Sequence, residues 1–145
     1  MKFEITPYVG AGRLLFGMDR AAVRQTMDAR FVVSHRGEFS AEKDIFAKLG
    51  VLANYDDDDR LYVVEFADPA EPILAGVNLL GESANAVKAL LQLMGGDLKE
   101  DESGAGSRKL GIEVWIPYAD EAEQPGHSIL VAGPGYYEKH PWRWA

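Results

Sequence analysis

The chain has 145 residues, 47% of them hydrophobic and 26% charged, and it contains no cysteine. This is the composition of an ordered globular protein of single-domain size, which buries roughly 70% of its unfolded surface. The missing thiols exclude disulfides, thiolate metal sites and cysteine nucleophiles, and they fit a reducing compartment.

The net charge of −8 is polarised along the sequence. Residues 1–36 hold six bases against three acids, residues 54–72 seven acids against one base, and residues 110–123 four acids and no base. An acidic balance disfavours direct nucleic-acid binding and favours a basic protein partner. No apolar run approaches the ~20 residues of a membrane span. Lys2, Glu4 and Pro7 stand where an export signal needs an apolar core, so the expectation is a cytoplasmic protein that makes no membrane contact.

In chain order, Asp19 predicts a helix N-cap, with Met18 and Val23 as a hydrophobic staple, Ala22, Val23, Thr26 and Met27 inward, and Arg20 and Arg24 on the outer face. Phe31 to Arg36 reads as a strand ended by Gly37. Ser40 predicts a short helix with Ile45, Phe46 and Leu49 as its stripe and Gly50 as its C-cap. The period then changes to two: Val51, Ala53 and Tyr55 alternate on one side of Asp56-Asp57-Asp58-Asp59, and Tyr62, Val64 and Phe66 on the other. A hairpin with the aspartates at its tip follows.

A strand through Ile73 to Leu80 leads to a helix capped by Ser83, with Ala84, Val87, Leu90, Leu91 and Met94 as its apolar face and Gly95-Gly96 as its end. Glu102 to Ser107 reads as an exposed loop, Leu110 to Ile116 as a strand, Asp120 to Gly126 as a polar loop, and Ser128 to Ala132 as a last strand before Gly133-Pro134-Gly135. The predicted fold is a single α+β domain over residues 1–145, mostly antiparallel sheet with two or three helices on one face.

Motifs for chemistry are sparse. Were Asp56 to open a calcium-binding EF-hand loop, Leu61 would take the glycine position and Ala67 the bidentate glutamate position, so no metal is expected there. Gly10-Ala11-Gly12 lacks the third glycine of a dinucleotide fingerprint, and no Gly-Lys-Ser/Thr follows a Gly-rich stretch, so no cofactor is expected. His35, His127 and His140 lack helical metal-ligand spacing. Glu113 shares a strand face with Trp115, and Glu65 interrupts an apolar face. Both glutamates read either as edge-strand charges or, with His35, as a small enzyme's scattered site. Tyr136, Tyr137, His140, Trp142, Arg143 and Trp144 are residue types enriched at interfaces. Tyr137, Trp142 and Trp144 are therefore a secondary interface, unless the tail folds back and buries them against the sheet.

The phrases Gly12-Arg13-Leu14-Leu15-Phe16-Gly17-Met18-Asp19-Arg20-Ala21-Ala22-Val23-Arg24, Leu49-Gly50-Val51, Tyr55-Asp56, Val64-Glu65-Phe66, Gly111-Ile112-Glu113-Val114-Trp115 and Gly135-Tyr136-Tyr137 resemble a group of small bacterial proteins. Some of that group resemble immunity proteins of polymorphic or contact-dependent toxin systems. The Phe16-Gly17-Met18 to Val23 phrase is also similar to the first helix of small outer-membrane assembly lipoproteins, whose lipidated cysteine is absent here. The first resemblance implies a non-catalytic protein that binds a cognate toxin, a nuclease being one such toxin. With the charge pattern, it makes Tyr55, Asp56, Asp57, Asp58, Asp59, Tyr62 and Glu65 the expected contact surface. A small enzyme and an adaptor domain without chemistry are the alternatives.

Overall fold

The computed structural model of the chain describes residues 1–34, 42–116 and 126–142. Its strands form two sheets. The smaller has the order β3 (Leu14–Leu15), β2 (Gly10–Ala11), β1 (Lys2–Thr6), β8 (Glu71–Leu74), β9 (Val77–Asn78). The larger runs β10 (Lys99–Asp101), β11 (Gly104–Ser107), β12 (Ile112–Trp115), β13 (Ser128–Ala132), β7 (Leu61–Phe66), β6 (Val51–Tyr55), β5 (Lys43–Phe46), β4 (Val32–Ser34). Among the described residues only the β1–β8 pair is parallel, which makes the fold the predicted α+β type with mostly antiparallel sheet.

Helices α1 (Arg20–Met27) and α2 (Ala84–Gly95) start where their caps predict. The Asp19 carboxylate accepts from the Ala22 amide at 2.8 Å and the Ser83 hydroxyl from the Ala86 amide at 3.1 Å, each satisfying a donor that the first turn leaves orphaned. Val23 and Met27 of α1 join Ala84, Val87 and Leu91 of α2 in one core with Phe3, Ile5 and Leu74 of the small sheet and Phe46, Val64, Phe66, Ile112 and Ile129 of the large one. Both sheets thus share a single apolar interior. The third helix, α3 (Tyr136–Lys139), lies apart from it. Its Tyr137 packs with Val63, Leu130 and Ala132 in a second, smaller cluster formed by side chains of alternate register on the same strands.

Several sequence expectations are corrected. Lys43–Phe46 is strand rather than helix, because pairing with β6 buries Asp44 and Phe46 on one face; only a 3₁₀ turn, Ala47–Leu49, follows, and Gly50 ends it with φ +69°. Ile73 to Leu80 is a hairpin, since Ala75 and Gly76 both take positive φ, as a type I′ turn demands. Gly104–Ser107 is a buried strand: its small side chains admit α2 so closely that a Cβ on Gly95 would fall 2.4 Å from the Ser107 hydroxyl. The buried stripe of α2 is accordingly Ala84, Val87, Leu91 and Gly95, with Leu90 half-buried and Met94 42% exposed.

A further correction concerns β7. Asn54 pairs with Val63 but Tyr55 with Leu61, so the strand carries one extra residue. This bulge leaves Leu61 facing the core and turns Tyr62 outward beside Val63, whereas strict alternation puts Tyr62 on the face of Val64 and Phe66. The expected strand end at His35 to Gly37, the cap Ser40 and most of the polar loop 120–126 lie outside the described residues.

Candidate functional site: the acidic turn and the outer sheet face

The β6–β7 turn is fixed by its own residues. The Asp56 carboxylate accepts from the backbone amides of Asp58 at 2.9 Å and Arg60 at 3.0 Å, and the Asp56 amide closes the turn on the Arg60 carbonyl at 2.8 Å. Asp59, at φ +63°, takes a left-handed conformation that aspartate tolerates, and it accepts from Arg20 Nε at 3.1 Å. Arg20 also pairs with Glu42. Asp57 is 94% exposed and lies 3.7 Å from Lys139 Nζ. Asp58 is exposed, and its carboxylate has no partner among the described residues. The four aspartates therefore divide: Asp56 and Asp59 hold the turn, and Asp57 and Asp58 face outward from it.

The other expected contact residues fall in different places. Tyr55 is buried on the inner face and donates its hydroxyl to Asp44 at 2.7 Å, which removes it from any surface. Asp44 itself is buried and also accepts from Arg24 Nε and Nη2, both at 2.9 Å, so it belongs to a packed triad. Burial first, then the Asp44 hydrogen bond, push the Tyr55 hydroxyl well above the usual tyrosine range. Tyr62 is half-buried on the outer face, its hydroxyl 3.1 Å from His140 Nε2. Glu65 is half-buried there too; it accepts from Asn54 at 3.1 Å and faces Lys43 at 3.8 Å.

Glu113 and Glu65 stand on internal strands, which corrects the edge-strand reading. Each pairs with Leu130 of β13, so they occupy one row of the outer face two strands apart, about 10 Å between backbones. Glu113 is buried beneath α3. One of its oxygens accepts from Trp115 Nε1 at 2.8 Å and the other from the Tyr137 hydroxyl at 2.6 Å. Burial and the Glu113 charge raise the Tyr137 hydroxyl far above its ordinary range. In this arrangement the carboxylate anchors α3 to the sheet.

The secondary interface is likewise partly interior. Tyr137 is buried, and Trp142 packs edge-on against it with ring centres 4.9 Å apart, so the tail folds back on the sheet here; Trp144 and His35 lie outside the described residues. His127 is buried with Nε2 2.6 Å from the Leu79 carbonyl, the hydrogen-bonded role expected of a structural histidine.

Sequence reading missed the ring cluster beside the turn. Tyr62 and Tyr136 lie 5.7 Å apart, Tyr136 and His140 stack at 4.7 Å, and Tyr62 and His140 are 5.9 Å apart. Tyr136, His140 and Tyr62 are all visible as aromatics in the sequence, but only the bulge brings Tyr62 to the other two.

A hollow of about 340 Å³ between β1, β3 and α1 is lined by Phe3, Leu14, Met27 and the cationic Lys2 and Arg13, and it includes none of the expected contact residues. Among the described residues, no group of three or more His, Asp or Glu is placed to hold a metal ion, and no helix is long and apolar enough to cross a membrane. No family model matches the chain, and no curated protein or solved structure matches it.

Proposed function

We propose that the protein is an acidic, non-catalytic binding protein of the cytoplasm that neutralises a toxin, a nuclease in the simplest case, by seating the β6–β7 turn in the toxin's basic groove. The observation that carries this reading is the pair Asp57 and Asp58, exposed at the apex of a turn whose backbone Asp56 fixes. A nuclease must present bases to phosphate, and a preordered acidic turn competes for the same groove with little ordering cost. The chain's net charge of −8 adds long-range attraction to such a surface. Tyr62 adjoins the turn on the outer face and Glu65 lies further along β7, opposite Leu52, while Tyr55 acts only from within, bonded to Asp44.

The test is co-expression with the product of the adjacent gene, followed by kinetic binding measurements with purified proteins across a salt series. The doubly substituted Asp57→Asn, Asp58→Asn protein keeps the turn chemistry and removes two charges. It should fold normally, associate more slowly with a flatter salt dependence, and protect cells less. Unchanged association and protection would refute the acidic turn as the contact.

A further inference from the structure

We propose that Tyr62, Tyr136, His140 and Asp57 form a seat for one guanidinium group of the basic partner, which displaces the chain's own Lys139. The proposal rests on the acidic turn being a contact surface and specifies the chemistry of that contact. The three rings meet within 4.7–5.9 Å of one another and are each half-buried, so they present aromatic surface at the solvent boundary. Asp57 reaches the same helix through Lys139, the residue next to His140, and Asp56 and Asp57 add to burial in raising the Tyr62 hydroxyl pKa.

A cation of the chain already sits beside Asp57. Lys139, at the end of α3, reaches Asp57 at 3.7 Å with both side chains at least half exposed. An exposed lysine pair of this length contributes little, because the ammonium keeps its hydration. A guanidinium group is planar and less strongly hydrated; it stacks on aromatic faces while pairing with a carboxylate through parallel N–H bonds. The site therefore favours arginine over lysine, and Lys139 acts as a weak internal competitor.

The probe is the peptide acetyl-Arg-Gly-Arg-amide, titrated by NMR beside its lysine counterpart. The arginine peptide should shift the ring resonances of Tyr62, Tyr136 and His140 and bind about two- to fivefold more tightly than the lysine peptide. Lys139→Gln should tighten binding, whereas Lys99→Gln, the same charge change four strands away on β10, should not. Tyr136→Leu should weaken it, and Lys139→Gln covers the case in which that variant loses α3, since Lys139 is exposed. Equal effects of Lys139→Gln and Lys99→Gln, or no preference for arginine, would overturn the seat. If Asp57→Asn, Asp58→Asn abolishes peptide binding while Tyr136→Leu and Lys139→Gln leave it unchanged, the acidic turn stands and the seat falls. If none of these changes has an effect, both fall.

Discussion

Asp44 shows how a charge becomes an interior residue. Its two oxygens receive a bidentate guanidinium from Arg24 and a hydroxyl from Tyr55, while Arg24 stacks over Phe31 at 4.3 Å and Arg20 over Tyr55 at 4.8 Å. The Asp44 hydrogen bond comes first among the causes that raise the Arg24 pKa. Replacing Asp44 with alanine leaves Arg24 and Tyr55 without their acceptor in a packed site, and urea denaturation should show a loss of about 3–5 kcal/mol. Asp58→Asn should stay within ~0.5 kcal/mol of the parent, since its exposed carboxylate makes no hydrogen bond or ion pair among the described residues. A cost below ~1 kcal/mol at Asp44 would show that the triad is relaxed rather than packed. The run of four aspartates is plain in the sequence, but its division of labour is not, because the residues that engage Asp59 and Asp57 are Arg20 and Lys139, remote along the chain.

At the scale of elements, legibility followed how local the determining physics is. α1 and α2 were readable because a cap and an apolar stripe each act within a turn or two of helix. The β6–β7 hairpin was readable from alternation on both sides of a turn. β5 was hidden because Asp44 occupies an inward position, which breaks the apolar period until its partner Arg24 is placed. β11 was hidden because Gly-Ala-Gly-Ser reads as a flexible loop, although here smallness serves the close approach of α2. α3 has only four residues and no side-chain cap, so no periodicity announces it. The α2–β11 contact gives a direct test. Gly95→Ala gains helix propensity but places a methyl group 2.4 Å from the Ser107 hydroxyl, so overpacking should win by about 1–3 kcal/mol in a denaturation experiment. The neighbouring Leu91→Ala should cost ~2–5 kcal/mol, whereas Leu93, 82% exposed, should tolerate alanine.

On the scale of the whole molecule, the large sheet is covered unequally. Its inner face shares a broad core with the small sheet, α1 and α2, while its outer face is closed over β7, β12 and β13 by a cluster of four buried residues and the Glu113 anchor. Undocking α3 gives up the burial of Tyr137, about 1.5–3 kcal/mol, and its hydrogen bond to Glu113, about 1–3 kcal/mol, so its cost lies in the lower part of the ~5–15 kcal/mol global stability expected for such a domain. The outer cluster should therefore open before the core unfolds. The protein carries its own reporters: Trp115 and Trp142 pack against the outer cluster, and among the described residues the inner core holds no tryptophan. In a urea titration, tryptophan fluorescence should change at lower denaturant than far-ultraviolet circular dichroism, which reports the strands and helices of the core. His140 supplies a second handle, since burial and then Lys139 lower its pKa. A base whose folded pKa is depressed binds its proton more readily when released, so its contribution to α3 docking is present above the ordinary histidine pKa of ~6.5 and is lost as the pH falls from there through the lowered folded value. The gap between the two transitions should widen below that pH. Coincident transitions at every pH would mean that α3 and the core are one cooperative unit, and the seat at Tyr136 would then be as rigid as the sheet beneath it.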